Sequence, residues 1–496
     1  MPETSVPNAS VRHDPPPAGL STAQRNAVAE LLRVSPVADE MGRRFARVGH
    51  ELHLVGGPVR DALLGRLGDD LDFCTDAHPD QTLKIIAGWA EAIWETGREF
   101  GTIGAQRGGL RLEITTFRSE SYDQVSRNPV VRYGSSLVDD LRRRDFTINA
   151  MAVSLPEHQF TDPYGGLTDL AAGKIRTPGT PQESFGDDPL RMLRAARFAA
   201  NLRFAVEPEV LAAMTAMAPD LDRITAERIR DEFTKLLCGA DPVAGLRLLV
   251  DTGLADRFLP ELSGLKLEID EHAQHKDVYE HTLTVVSNAV ALERADPDQD
   301  GYDFVLRMAA LMHDVGKPAT KAVGPDGRVS FHHHEVVGAR LTKQRMKALR
   351  YPKDVITQVV TLVGLHLRFY GYGRGEWTDS AVRRYVADAG DLLTRLHKLT
   401  RSDCTTRNRR KASQLAADYD ALEERIARIA AEEDLARVRP DLDGNAIMEL
   451  LGVPAGPVIG QAWRHLKELR LERGPLPRDE AEVELMRWAR DQGIID

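Results

Sequence analysis

Cysteine is scarce in this sequence: three occur, Cys74, Cys238 and Cys404, and no two form a CxxC pair. That excludes a disulfide framework and a thiolate zinc site, and it points to a reducing, cytoplasmic setting. Apolar runs long enough to cross a bilayer are missing, as is a signal peptide, so no membrane partner is expected. Net positive charge is missing too. The formal charge is −10, which counts weakly against a nucleic-acid partner, because phosphate binding needs a positive face. A local basic patch is still compatible with an acidic total. No internal repeat at solenoid period occurs.

What is present is a chain of 496 residues, 42% hydrophobic and 28% charged, which suits a soluble protein of two to four domains. "MPETSVPNASVRHDPPPAGLS" is rich in Pro and Ser, so a disordered tail is expected over 1–37. Helical spacing runs from Ala38 to about Val48. "ELHLVGG" reads as a strand ending in two glycines, and "RLEITTF" at 111–117 as a strand with alternating, β-branched residues. "RRDFTINAMAVSL" reads as a turn or helix start leading into an apolar segment. From about residue 183 strand signals almost vanish, and "QLAADYDALEERIARIAAEEDLARV" is a long, charge-laced helix. A mixed head followed by a long helical body is expected.

Within "GRLGDDLDFCTDA", Asp70 and Asp72 share a face if the stretch is a strand, while Asp69 points away. Two facing carboxylates suit Mg²⁺, a hard cation that leaves room for phosphates. Glu113, on a second strand, is the candidate third carboxylate of a two-metal site. Alone, a DxD is better read as a solvated acidic turn. Upstream, "LVGGPVRDALLGR" sets Gly56 and Gly57 between a strand and a helix, where backbone N–H groups approach a phosphate; Arg60 is one turn in. Downstream, "LRRRDFTINA" supplies Arg142, Arg143 and Arg144, either a solvated helix face or, beside a carboxylate–metal centre, triphosphate clamps. In "GDDPLRMLRAARFAA", Arg191, Arg194 and Arg197 lie roughly along one helix face, with Asp188 one turn before. An Asp–Arg pair can read the Watson–Crick edge of a base.

GG-x-VRD, D-x-D, RRDFTINA and DDP-LR-x-LR-x-xRF, in that order over about 55–200, resemble the class II tRNA nucleotidyltransferases, the CCA-adding branch of the polymerase β-like superfamily that also holds bacterial poly(A) polymerases. The resemblance implies an α+β fold: a polymerase β-like head with a small mixed sheet, then an all-α neck, body and tail. It implies that Asp70 and Asp72 bind Mg²⁺, that Gly57, Arg60 and Arg144 hold the triphosphate, that Asp188 and Arg191 read the base, and that Arg194 and Arg197 help hold the nucleotide. Glu113 stands outside that carry-over, as an inference from the strand pattern. The implied reaction adds C, C and A from CTP and ATP to a tRNA 3′ end without a template.

A second constellation is "VYEHTLTVV", "LMHDVGKPAT", "FHHHEVVGA", "VGLHLRF" and "TRSDCTT". Imidazole and carboxylate ligands suit several divalent transition metals, so type alone leaves the ion open. The set resembles the HD phosphohydrolases, whose signature H…HD…D is matched by His281, His313, Asp314 and Asp403. His334 and His366 stand where some members add ligands for a second metal; His334 is chosen over His332 and His333 because "HEVVGA" fits that pattern. The resemblance implies hydrolysis of phosphomonoesters or 2′,3′-cyclic phosphates, or a pocket kept as scaffold.

"TRNRRK" supplies Arg407, Arg409, Arg410 and Lys411, either a solvated run or a contact to the tRNA backbone. The expected organisation is a tail over 1–37, a nucleotidyltransferase head over 38–180, a helical neck and body over 181–271, an HD domain over 272–410 and a tRNA-binding helical tail over 411–496. Competing readings are a poly(A) polymerase, a partial CC- or A-adding enzyme, and a nucleotide-binding sensor with an inert head. Oligomeric state is not legible.

Overall fold

The computed structural model describes Thr22 and residues 36–66, 68–121, 130–134, 136–267, 278–325, 329–369, 372, 377–406, 408–432 and 439–495. Most of the expected 1–37 tail, and Arg407, lie outside these. Helix α1 (Pro36–Arg47) begins two residues inside that tail.

Two compact units form, one from residues 1–225 and 247–257, the other from 226–246 and 258–496. The first is built on a mixed sheet of β1 (Leu52–Val55), β2 (Asp70–Thr75), β3 (Ala92–Trp94), β4 (Thr102–Arg107), β5 (Leu110–Thr116), β6 (Ala152–Leu155) and β7 (Phe160–Thr161). Their order is β3-β4-β5-β2-β1-β6-β7. β2 and β5 run parallel; the other neighbours run antiparallel. Period-two alternation explains the two faces. On β5, Leu112 and Ile114 are buried with Leu71 and Phe73 of β2, whereas Arg111 and Glu113 point to the open face. Helix α1 packs closely on β6: a Cβ on Gly42 would lie 2.5 Å from the Leu155 Cβ, so only glycine fits there.

A tight turn at Gly56 leads from β1 into α2 (Gly57–Leu63), and α3 (Leu137–Arg142) is capped by Ser136. α4 (Pro181–Asp187), capped by Thr180 with proline in its first turn, precedes α5 (Leu190–Leu202). Leu190, Leu193 and Phe198 of α5 are buried.

The second unit is helical: α6 (Val278–Ala295), α7 (Phe304–Met312), α8 (His334–Ala348), α9 (Lys353–Leu365), α10 (Leu393–Asp403) and the long α11 (Arg409–Glu432). Arg307, fully buried, forms a bidentate pair with Glu293 (2.7 and 2.9 Å) and donates to the carbonyls of Leu237 and Gly239, both at 2.8 Å. At the C-terminal end α12 (Gly444–Leu451), α13 (Pro457–Arg473) and α14 (Arg478–Asp491) enclose their own core of Ile447, Leu451, Leu466 and Leu485.

Candidate functional sites

The β2–β5 register sets Asp70 opposite Arg111 and Asp72 opposite Glu113, so Asp70, Asp72 and Glu113 share the open face of the sheet. Asp69 precedes the strand and its carbonyl accepts from the Arg111 N–H. Burial pushes the Asp72 carboxyl up, and Glu113 and Asp70 add to this against the pull of Arg144 and Arg194. An acidic face with one desolvated carboxyl fits a divalent cation, which offsets both penalties. Among the described residues this trio is more open than the histidine groups below, whose ligand atoms lie within 4.8 Å of one another.

Beside the carboxylates, arginines are held in place by neighbouring acids and an amide. Arg60 donates to Asn149 (2.6 Å) and forks onto Asp61 (2.8 and 2.9 Å). Asn149 donates to Asp145 (2.9 Å), and Asp145 accepts two bonds from Arg194 (2.6 and 2.8 Å). Burial opposes ionisation of Asp145, yet Arg194 and Asn149 win and hold its carboxyl far below the usual range. Asp140, fully buried, pairs with Arg143 (2.7 Å) and Arg144 (3.2 Å). Gly56 has φ +74°, and a Cβ there would sit 2.9 Å from Nη1 of Arg144. The Phe198 ring underlies Arg60, Arg194 and Arg197, with guanidinium carbons 5.1, 5.8 and 4.3 Å from its centroid.

The arginine triplet thus divides. Arg144 faces the carboxylates, Arg143 is tied down by Asp140, and Arg142 lies out at the surface near Glu183 (3.8 Å). Asp188 lies between α4 and α5 and accepts from the Leu190 N–H (3.1 Å). Arg191 is 9% exposed and donates to Ser184 Oγ and to the carbonyls of Ser184 and Arg143, which fixes the plane of its guanidinium. Asp140, Asp145 and Asn149 escaped the sequence reading, and Phe198 reads from the sequence as a core position only. Asp145 and Asn149 stood within the quoted "RRDFTINA", but their partners are distant in sequence.

The histidine positions converge in the second unit. His281, His313 and Asp403 form one group and Asp314, His334 and His366 another. Asp314 bridges them: Oδ2 is 3.1 Å from His313 Nε2 and 3.4 Å from His281 Nε2, and Oδ1 is 3.3 Å from His334 Nε2. His313, His334 and His366 each have Nδ1 on the carbonyl three residues back, those of Ala310, Phe331 and Val363, at 2.7 to 2.8 Å. That fixes the tautomer and turns each Nε2 inward. His366 Nε2 is buried and has no hydrogen-bond partner among the described residues. Burial, then His313, push this imidazole down to about 4, so it is neutral and its lone pair is available. An orphaned lone pair among carboxylates fits a metal. Of the three neighbouring histidines His334 alone is buried; His332 and His333 are exposed. Arg409, Arg410 and Lys411 are exposed at the start of α11.

Three family models match in chain order: the Poly A polymerase head domain over residues 52–176, the probable RNA and SrmB-binding site of polymerase A over 203–265, and the HD domain over 278–431. The A-adding tRNA nucleotidyltransferase of Deinococcus radiodurans is 35% identical over 446 residues, covering 88% of this chain and 95% of that protein. The CCA-adding enzyme of Levilactobacillus brevis is 42% identical over 225 residues, which are 45% of this chain and 55% of that protein. Among solved structures, the Bacillus stearothermophilus CCA-adding enzyme in complex with CTP shares the fold with a TM-score of 0.66 at 24% identity, covering 92% of this chain and 98% of that one. The Thermotoga maritima CCA-adding enzyme complexed with tRNA does so at 0.60 and 18%, covering 93% and 98%. With a relative matched along nearly its whole length and the head, RNA-binding and HD models in sequence, this chain belongs to the tRNA nucleotidyltransferase and poly(A) polymerase family and carries an HD domain behind its polymerase-type head.

Proposed function

We propose that the chain adds C, C and A to tRNA 3′ ends in the cytoplasm, consuming CTP and ATP and releasing pyrophosphate. The observation that carries this reading is the acidic Asp72–Glu113 row beside the Gly56–Arg144 cradle, on the fold of this family. Gly57, Arg60 and Arg144 grip the triphosphate. Asp188 and Arg191 present the edge that selects the base, and Arg194 and Arg197 hold the nucleotide. Asp145 orients Arg194, and through Asn149 it orients Arg60. Asp70, Asp72 and Glu113 hold Mg²⁺, which when bound lowers the pKa of the 3′-hydroxyl and neutralises the leaving pyrophosphate. The new bond joins the 3′-oxygen to the α-phosphorus as the α–β anhydride breaks. Arg409, Arg410 and Lys411 meet the tRNA backbone.

The test is a tRNA transcript ending at the discriminator base, incubated with CTP and ATP separately and together, with the products sequenced. Full CCA is expected. Asp70→Ala should abolish transfer at unchanged melting temperature; normal CMP incorporation by that variant would sink the metal assignment. A second reading, addition of the terminal A alone, is favoured by the A-adding relative that this chain matches over 95% of its length. Extension of a CC-ended tRNA without extension of the discriminator-ended one would select it.

For the HD unit we infer hydrolysis of phosphomonoesters or 2′,3′-cyclic phosphates, with His281, His313, Asp314, Asp403, His334 and His366 holding a divalent transition metal. Metal-dependent turnover of a chromogenic phosphomonoester with Ni²⁺, Mn²⁺ or Co²⁺ checks it; no turnover on that or on cyclic nucleotides points to a scaffold.

A further inference from the structure

The open face of the sheet continues past the carboxylates. Asp72 of β2 lies opposite Glu113 of β5, Glu113 opposite Gly104 of β4, and Gly104 opposite Trp94 of β3. The row therefore ends on an indole about 10 Å from Glu113, two strand spacings away. Gly104 makes this possible. A Cβ at that position would lie 1.8 Å from Trp94 Nε1, so the indole rests directly over the bare backbone of β4. Arg111 belongs to the same face. Its guanidinium carbon is 5.4 Å from the Trp94 ring centroid, and its Nη2 is 3.5 Å from Glu113 Oε1. Trp94, Gln106, Gly109 and Arg111 line a cleft of about 450 Å³, within the range of small-ligand sites.

Direction gives this cleft a role. The triphosphate cradle of Gly56, Arg60 and Arg144 lies on the β1 side of the carboxylates. Phosphoryl transfer places the attacking and leaving oxygens roughly in line on opposite sides of phosphorus. Pyrophosphate leaving toward β1 requires the 3′-oxygen to arrive from the β5 side. The nucleotide carrying that oxygen then lies over β5, β4 and β3.

We propose that Trp94 and Arg111 form the subsite for the 3′-terminal nucleotide of the RNA being extended: its base stacks on the Trp94 indole and its phosphate is bound by Arg111. The proposal rests on the nucleotidyl-transfer reading above. The Arg111 side chain is 59% exposed, so it turns from the ring to a phosphate without leaving a buried partner behind. Stacking is indifferent to base identity, because every base has a π-face. That suits an acceptor whose last base is the discriminator in one step and C in the next. Gly104, the single residue between Glu113 and Trp94 in this row, carries no side chain and leaves the sugar room to lie flat.

The experiment measures binding apart from transfer. Fluorescence anisotropy gives the Kd of the full chain for an acceptor minihelix ending at the discriminator base and for one whose 3′-terminal nucleotide is abasic. The unmodified protein should prefer the base-bearing end by about 5- to 150-fold. Trp94→Ala should abolish that preference and Trp94→Phe should keep most of it, with the KM for CTP unchanged in both and circular dichroism matching. Arg111→Gln should weaken both minihelices alike. A Trp94→Ala protein that still prefers the base-bearing end, or that loses affinity for CTP as much as for RNA, overturns the proposal. Absence of CMP and AMP transfer by the unmodified protein, with the preference intact, overturns the transfer reading and leaves the subsite standing.

Discussion

Asp145 does its work without facing the open site. It is buried, and it holds Arg194 directly and Arg60 through Asn149. Asp145→Asn should leave Arg194 short of a counter-charge and cost about 1.5–3 kcal/mol of stability, the range for a hydrogen bond to a charged group, because the Arg194 side chain is partly exposed. The pH dependence has a definite sign. Because the folded carboxyl is held well below its ordinary value of 3.8, its contribution is complete above that value and is lost as pH falls below it. Melting temperatures between pH 5 and 3 should therefore fall more steeply for the unmodified protein than for Asp145→Asn. A glycine gives the second test. Gly56→Ala forces a side chain into φ +74° and pushes Arg144 aside; the fold should survive while kcat/KM for CTP drops about 100-fold. That Asp70 and Asp72 share a face was legible because strand alternation is local, and Glu113 joins that face from a second strand. Asp145 was not legible as an orienting residue, since Arg194 is 49 positions away and only the folded chain brings them together.

At the level of elements, the parallel β2–β5 pair is what brings three carboxylates onto one face of the sheet. A slip of one residue would send Glu113 to the core face and leave Asp72 without its neighbour. In the HD unit the equivalent device is the helix end. His313 and His366 directly follow α7 and α9, while His334 opens α8, and each has Nδ1 on the carbonyl three residues earlier. Asp314 lies between the two groups, so on the proposed reading the six side chains would hold two ions. Purified protein loaded with Mn²⁺ and desalted should carry about one equivalent fewer by mass spectrometry after His366→Ala, with CTP transfer unchanged. The HD spacing made the convergence of these side chains readable, and of the three neighbouring histidines His334 is the buried one. The division of the arginine triplet was not readable, because it turns on where Asp140 is buried.

At the scale of the whole molecule, the helical unit contains a charged pair buried away from solvent. Glu293→Gln would strand Arg307 and should cost about 3–5 kcal/mol, whereas replacing both by apolar residues of similar volume should cost far less. Chemical denaturation of the two variants separates the outcomes. The division into a strand-bearing head and a helical body was legible from where β patterning stops near residue 183. The return of residues 247–257 to the first unit was not, because nothing local in "RLLVDTGLADR" names the core it enters.

That return matters for how the chain is made. Leu249, Val250 and Leu254 are buried in the first unit, and Arg257 is paired with Asp222. A ribosome that has released residue 225 has delivered every strand of the sheet, yet the unit is still missing its last apolar segment. Its completion waits until residue 257 emerges, after the first stretch of the second unit has already appeared. Vectorial synthesis therefore interleaves the two units, so a translational pause or a cut at residue 225 catches the head with an unfilled core, while one just past residue 257 does not.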